Sequence, residues 1–381
     1  MKPPEPGTVP VPLDGMRVLQ VVATTTGGTG AHVGMLVDHL LARGGDVIVC
    51  GPQSVDAQFH FRTRGAGFVP APIGLQPHPR DIATLRRLRR LAVLADVVHA
   101  HSLRAAALAG LVTPRQVPFV VTRHNAIIST GVGRRVQLGL QRHTARRADV
   151  TLCVSSDLVD AVRRAGGTDV RRAFVTAPTM PAPGRSRDAV RDEFGARERP
   201  LVLAIGRLHG QKDYPTLIAA ASRLADMDPA PLVVIAGEGP ERAALTALIA
   251  RTAAPVRLLG ERSDIADLLH AADVQVLASV WEGTPLSVQE GLSAGLPFVG
   301  TRVGSIPDIV ADAGLLVPPH DVRALAVQLR RVLTDTRLAA DLRGRALRRA
   351  AAVHGEADVT EQVVAAYVAA SKTVRSRSDA P

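Results

Sequence analysis

The chain has 381 residues, enough at roughly 150 per domain for two or three domains with cores of their own. Hydrophobic content of 46% with charged content of 21%, and ordinary glycine and proline usage, exclude disorder and collagen-like structure. No apolar run reaches the roughly 18 residues of a membrane span, because Asp96 and His99 interrupt the best candidate, Leu91–Leu111.

The net charge of +11 is carried by arginine: the lysines are Lys2, Lys212 and Lys372, leaving 43 arginines. Lys2 and Lys372 lie near the ends, so Lys212 is the one lysine in the body of the chain. Ammonium and guanidinium differ in compactness and donor geometry, which singles Lys212 out. Residues 1–185 hold 23 basic and 11 acidic side chains, against 23 and 24 in residues 186–381. The excess therefore belongs to the first half, in clusters at Arg86, Arg87, Arg89 and Arg90, at Arg134 and Arg135, and at Arg142, Arg146 and Arg147. Such a face suits an anionic membrane leaflet or a phosphorylated substrate, or is a solvated surface of biased composition. Nucleic acid is disfavoured, since aromatics are 3% of the chain and no base-reading motif accompanies the clusters.

Residues 1–15 contain no apolar run and read as a flexible leader rather than a signal peptide. Short β-branched runs then alternate with amphipathic stretches, the pattern of βαβ units and a parallel sheet. Strands are expected near Arg17–Ala23, Asp46–Cys50, Val97–His101, Phe119–Arg123 and Val150–Val154, with helices such as Val33–Ala42 and Ile82–Leu94 between them. In the second half they are expected near Leu201–Gly206, Leu232–Gly237, Val256–Leu259, Val274–Ala278 and Phe298–Thr301. Ala177–Pro200, rich in Pro, Gly and charge, reads as the boundary. The expected division is a domain over 16–178, a linker over 179–200, a second domain over 201–355, a helix over 356–370 that packs back on the first domain, and a tail over 371–381. Two Rossmann-like parallel-sheet domains facing each other across a cleft are the expected architecture. Cys50 and Cys153 end apolar strands and read as free buried thiols, so a reducing cytoplasm is the default compartment.

Open α/β sheets bind ligands beyond the carboxyl ends of their strands. After the first strand comes TTTGGTG, Thr24–Gly30, with a helix expected from about Ala31. Gly27, Gly28 and Gly30, with Thr29, permit close approach of an anion to a helix N-terminus. The spacing is not G-x-G-x-x-G and no acidic residue ends the second strand, which argues against a dinucleotide. In Ile205–Lys212, IGRLHGQK, the loop after a buried strand carries Arg207 and Lys212, two cations suited to a diphosphate. Gly237-Glu238-Gly239-Pro240 ends the next strand, where ordinary turn chemistry is an equal explanation. Ser279–Pro297, SVWEGTPLSVQEGLSAGLP, reads as a loop and a helix N-capped by Thr284, with Pro285 at its first position and Gly295 past its end. Its N-terminus, with the Glu282-Gly283-Thr284 amides, faces a phosphate in this reading, and Glu290 lies within the helix, where a ribose diol offers two donors. Asp226-Met227-Asp228 follows a helix and reads as a turn, not a metal-nucleotide motif.

In order and spacing, Ile205–Lys212 with Pro215–Leu217, Gly237–Pro240, Asp273–Ser279, Glu282 to Glu290 and Gly295–Val299, together with GGTGAHVGMLVDHL in the first half, resemble the retaining glycosyltransferases of family 4. The resemblance covers roughly Met16 to Ala370. It implies the GT-B fold and transfer of a sugar from a nucleotide diphosphate sugar to a glycan, lipid-linked or small-molecule acceptor, with retention and without an essential metal or other cofactor. Cell-envelope or exopolysaccharide synthesis in the cytoplasm, at the inner membrane face, is the setting it suggests. By the same resemblance Arg207 and Lys212 would neutralise the diphosphate, Glu290 would bind the ribose, and Glu282 would contact the transferred sugar, with the Gly283, Thr284, Pro285 and Leu286 backbone near it. Gly206, Gly237, Glu238, Gly239 and Arg262 are expected among the donor-binding residues. Gly27–Gly30 would close over the phosphates, His124 in VVTRHN would lie beside donor sugar and acceptor, and His101 in VVHAHS would line the same cleft.

Two positions depart from the family pattern. The usual Asn-Gly-x-Asp turn is replaced by APTMPAPGR, and Thr284 stands where an aromatic commonly follows Glu-Gly. A nucleotide-sugar epimerase of the same fold, or an accessory subunit without turnover, are the competing readings. A paired-carboxylate glycosidase is disfavoured because Glu282 and Glu290 are assigned to the donor.

Overall fold

In a computed structural model of the chain, which describes residues 13–25, 27–74, 78–79 and 81–378, contacts divide the protein into two compact units. The first runs to Thr176 and resumes at His354; the second is Ala177–Val353.

The first unit takes the elements β1 (Arg17–Val22), α1 (Gly28–Ala42), β2 (Asp46–Gly51), α2 (Gln53–Phe59), β3 (Gly67–Pro70), α3 (Asp81–Leu94), β4 (Val97–His101), α4 (Leu103–Val112), β5 (Phe119–Arg123), α5 (Gly131–Arg147), β6 (Val150–Cys153), α6 (Ser156–Arg164) and β7 (Val170–Arg172). Its strands form one parallel sheet in the order β3-β2-β1-β4-β5-β6-β7. The second unit takes α7 (Arg187–Glu193), β8 (Leu201–Ile205), α8 (Tyr214–Ser222), β9 (Leu232–Ala236), α9 (Arg242–Thr252), β10 (Val256–Gly260), α10 (Ile265–Ala271), β11 (Val274–Leu277), α11 (Leu286–Ser293), β12 (Phe298–Thr301), α12 (Ile306–Val310), β13 (Gly314–Val317), α13 (Val322–Thr334) and α14 (Thr336–Ala351). Its sheet, also parallel, has the order β10-β9-β8-β11-β12-β13. Both orders reverse direction once, at β1/β4 and at β8/β11, and such a switch point opens a crevice at the carboxyl ends of the strands.

The inner strands are near-continuous apolar runs, LVLAI in β8 and LVVIA in β9, because helices cover both faces of a parallel sheet. α4 shows the same rule in a helix: Ala105, Ala106, Ala107, Leu108 and Ala109 are all buried, and the small alanine side chains let the helix lie close on the sheet. Cys50 and Cys153 are buried free thiols, and Asp226, in the turn after α8, pairs with Arg330.

The structure corrects several expectations. β3, β7 and β13 lack a counterpart in the sequence reading; all three are short strands at sheet edges. Residues 179–200, expected as linker, carry α7, whose Val190, with Phe194 one turn on, enters a core cluster with Leu201, Leu203 and Val234. Apolar spacing at i and i+4 outweighs the Pro/Gly composition there. The tail expected over 371–381 is helical to Ser378, as part of α15 (Glu356–Ser378); residues 379–381 lie outside the described residues, as do residues 1–12 of the expected leader.

α15 belongs to the first unit. It pairs with α1 through Glu356 and His39 (3.0 Å) and through Glu361 and Arg43 (2.8 Å). Its fully buried Tyr367 hydroxyl meets Gln20 Nε2 at 3.1 Å and His99 Nδ1 at 2.9 Å.

Candidate functional site

In the first unit the loop after β1 is shorter than expected. α1 begins at Gly28, not near Ala31, so Gly28, Thr29 and Gly30 form its first turn and only Gly27 precedes it. Thr26 lies outside the described residues. No side chain caps this helix and its first turn holds no acid, which leaves its amides and dipole available to an anion. Gly30 is required by packing: a Cβ there would stand 2.1 Å from the Phe59 ring.

β4 places His99 and His101 two residues apart, on one face of a buried strand. His99 is satisfied by Tyr367 and by Thr122 Oγ1 at 2.7 Å. Gln20 Oε1 lies 2.7 Å from His101 Nε2; a carbonyl oxygen only accepts, so Nε2 donates and the Nδ1 lone pair is left facing His124 Nε2 at 3.2 Å. His32 from α1 meets the rings of His101 and His124 edge-on at 5.9 and 5.3 Å between centroids. Neither of its ring nitrogens has a partner. Burial pushes His32 down to about 4 and His99 to about 3, and holds His101 and His124 well below the usual imidazole range, so all four are neutral at pH 7. His101, expected to line a cleft, is fully buried, and His124 is 7% exposed. One nitrogen from each of His32, His101 and His124 lies within 4.8 Å of the others, the spacing among the described residues that suits a metal ion.

In the second unit the loops after β8 and β9 pack on one another. Leu208 N–H donates to the Glu238 carbonyl (2.9 Å), and Glu241 N–H to the Leu208 carbonyl (3.1 Å). Gly237 has φ +147°, and a Cβ there would meet the Gly206 carbonyl oxygen at 2.1 Å. Gly206, Gly237 and Gly239 are thus demanded by loop packing itself. The Glu238 carboxylate is exposed and pairs with Arg242 at 2.8 Å. Arg262 is held by Asp264 at 2.6 Å and Glu193 at 2.9 Å, its guanidinium over the Phe194 ring. It braces α7 through Glu193, with Nε, Nη1 and Nη2 each donating to a carboxylate there.

Lys212 and Glu282 come together directly. Lys212 Nζ lies 2.6 Å from Glu282 Oε1, which also accepts from Ser279 Oγ at 2.6 Å. Their side chains are 16% and 6% exposed. The pair is clamped by its surroundings: Val280 N–H donates to the Gln211 carbonyl (2.9 Å), and Gln211 Nε2 to that of Trp281 (2.8 Å). Arg207 is exposed on the same loop.

α11 starts later than expected. Pro285 occupies the N-cap position, and Thr284 is not the cap. No side chain caps the helix, and its first turn holds no acid. Gly283 and Pro285 are buried; Thr284 and Leu286 are half-buried. Glu290, half-buried in the second turn, has no hydrogen-bond or ionic partner among the described residues, and burial holds its carboxyl above the usual range. Sequence reasoning missed His32, His99, Ser279 and Gln20. Only the alternation in VVHAH signalled any of them.

The arrangement joins an uncapped helix N-terminus, a lysine shared with a buried glutamate and an unpartnered carboxylate one turn on, a set suited to an anion linked to a polyol. A model described as Glycosyl transferases group 1 matches residues 199–335, and one described as Glycosyltransferase Family 4 matches residues 26–176. The chain is 30% identical to glycogen synthase of Mycobacterium tuberculosis over 87% of its own length and 89% of that protein's. It is 30% identical to D-inositol 3-phosphate glycosyltransferase of Salinispora arenicola over 71% of its length and 70% of that protein's. Among solved structures, Anabaena Alr3699/HepE in complex with UDP shares the fold at a TM-score of 0.76 and 18% identity, over 92% of this chain and 99% of that one.

Proposed function

Because the chain belongs to glycosyltransferase family 4, with the GT-B fold, we propose that it transfers a sugar from a nucleotide diphosphate sugar with retention at the anomeric carbon and without an essential metal. The observation that carries this is the Lys212–Glu282 pair, four residues ahead of the uncapped α11. Lys212 has three donors, one of them spent on Glu282, and the others are free to meet a phosphate oxygen. With Arg207 and the α11 amides it would stabilise the departing diphosphate, the kind of electrostatic contribution that dominates such chemistry. Glu282, oriented by Lys212 and Ser279, would accept from the hydroxyls of the transferred sugar. Glu290 would accept from the ribose diol.

The bond from the anomeric carbon to the diphosphate breaks while the acceptor oxygen bonds to the same face, and the acceptor proton passes to the departing phosphate oxygen. No protein base is required, which is in keeping with the burial that makes His101 and His124 weak bases. The UDP complex of the Anabaena structure supports a nucleotide donor. The names of the two relatives range from a glycan synthase to a phosphorylated polyol as acceptor class.

The first unit would hold the acceptor, in cell-envelope or exopolysaccharide synthesis at the inner face of the membrane. In support, α3 exposes Ile82, Val93 and Leu94 beside Arg86 and Arg90, and α5 exposes Val132 and Val136 beside Arg134 and Arg135, the mixture that favours anionic lipid surfaces. No helix among the described residues is long and apolar enough to cross a membrane.

The test is titration calorimetry against UDP-, GDP-, ADP- and TDP-sugars, with product anomer analysis by NMR. Saturable binding of one donor and an unchanged anomeric configuration are expected. Inversion, or binding that requires a divalent cation, would overturn the proposal.

A further inference from the structure

β5 ends at Arg123, whose side chain is among the largest fully buried ones in the protein. A guanidinium so placed is normally matched by a carboxylate. Here it has none among the described residues. Its NH1 reaches Gln141 Oε1 at 3.4 Å, its NH2 reaches the Asn125 carbonyl at 3.3 Å, and its Nε has no partner. Burial pushes its pKa down to about 10, and the neighbouring Cys153 thiol, itself held neutral by burial, supplies no counter-charge.

Arg123 lines a cavity of about 220 Å³ at the carboxyl ends of β1, β4 and β5, with Thr24, Thr25, Ser102, Arg104 and Asn125 around it. Ser102 enters α4 at φ +75° and ψ 166°, an extended positive-φ conformation that a non-glycine residue adopts at a cost of about 1–3 kcal/mol and that recurs where ligands are held. It offers no side-chain cap to α4, a helix of ten residues with no acid in its first turn. Arg104, in that first turn, is buried and is engaged by Asp81. An open helix N-terminus, an unpaired buried guanidinium and three hydroxyls thus converge on one small cavity.

We propose that this cavity in the first unit binds an oxyanion, the phosphate monoester or carboxylate of a small acceptor, with Arg123 as its counter-charge. Anion capture stands on the geometry of the first unit; its assignment to the acceptor rests on the function proposed above. Arg123 is then a residue that selects anionic over neutral acceptors, and the guanidinium fork suits two-point contact with either oxyanion.

The experiment is calorimetric titration and thermal unfolding of the full chain with inorganic phosphate in one arm and succinate in the other, against chloride at matched ionic strength. Saturable binding is expected, with a rise in Tm of about 5 °C at a hundredfold excess over Kd. Phosphate alone binding identifies a phosphate monoester; succinate alone identifies a carboxylate. Arg123→Met should abolish binding while melting no lower than wild type without anion, because an uncompensated buried charge has been removed. Arg123→Lys, which keeps charge but loses the fork, should bind at least tenfold more weakly and serves if the methionine variant does not fold. No saturable binding of either anion by wild type, or equal affinity in the variants, overturns the proposal. Titration of the same samples with the nucleotide-sugar panel distinguishes this failure from failure of the donor site: Arg123→Met should leave donor affinity unchanged.

Discussion

The second unit buries opposite charges against each other, Lys212 on Glu282 at 2.6 Å, with Ser279 completing the carboxylate's bonds. Besides ion pairs such as Arg104 with Asp81, the first unit buries polar groups that carry no charge or find no counter-charge: four neutral histidines, His32, His99, His101 and His124, and Arg123 with neutral contacts alone. A clamped ion pair is self-sufficient and holds its geometry before any ligand arrives. An imidazole network is instead stable only while it remains unprotonated. The difference teaches that one sheet topology, used twice, places its polar investment according to what each carboxyl edge must hold. In the second unit it surrounds the Lys212–Glu282 pair ahead of the uncapped α11; in the first it forms an enclosed imidazole network beside the cavity that Arg123 lines.

Acid should break this comparison most forcefully. The histidines of the first unit have folded-state values of about 4 and 3, or well below normal, against roughly 6.5 in the unfolded chain. Below pH 6.5 the unfolded state takes up protons that the folded state refuses. Stability is therefore complete above pH 6.5 and falls toward pH 4, by about 1.4 kcal/mol per pH unit for each histidine. Denaturant unfolding of wild type at pH 7 and pH 5 should show the loss, and His32→Leu should reduce its slope. Identical slopes in the two proteins would mean that His32 does not resist protonation.

Removing half of the ion pair should act on the second unit by about 3 kcal/mol, because Glu282 is left buried and uncompensated in Lys212→Ala. Calorimetric unfolding reads that loss, and titration with the donor should show at least tenfold weaker binding. The double variant Lys212→Met/Glu282→Leu sharpens the point: stability should recover while donor binding does not. Recovery of both would remove the pair from the donor site.

Glu290→Gln carries the smallest effect. Its carboxyl sits above its usual pKa through burial and lacks a partner, so the amide should leave Tm within about 2 °C. Donor Kd should rise roughly tenfold, about 1.4 kcal/mol, if the ribose diol donates to the carboxylate. Equal Kd values would remove ribose from Glu290.

Much of this architecture was legible in the residue order. The inner strands of both sheets announce themselves as apolar runs, and Phe119–Arg123 and Phe298–Thr301 end where the pattern ends. The edge strands β3, β7 and β13 do not, because GFVP, VRR and GLLV are three or four residues long and carry little alternation. α7 was hidden by composition, its Val190 and Phe194 lost among prolines and charges. The Glu282-to-Glu290 segment was readable because its signals are local: a loop, a helix start and a carboxylate within nine residues. The Arg262–Glu193 contact was hidden for the converse reason, since Glu193 lies 69 residues away and can be recognised only once α7 is placed beside it.

By itself the sequence determined the class: periodicity switching between strand and helix, strand-end loops rich in glycine, and one lysine in an arginine-rich chain follow from short-range physics. Tertiary structure alone decided which side chains share an environment. Lys212 and Glu282 are 70 residues apart in the chain, Gln20 and Tyr367 are 347 apart, and His32 on α1 meets His101 at the end of β4 and His124 just past β5. Whether a buried lysine, histidine or arginine is paired, neutral or waiting for a ligand depends on desolvation and on neighbours brought in from distant segments, and no local pattern encodes either.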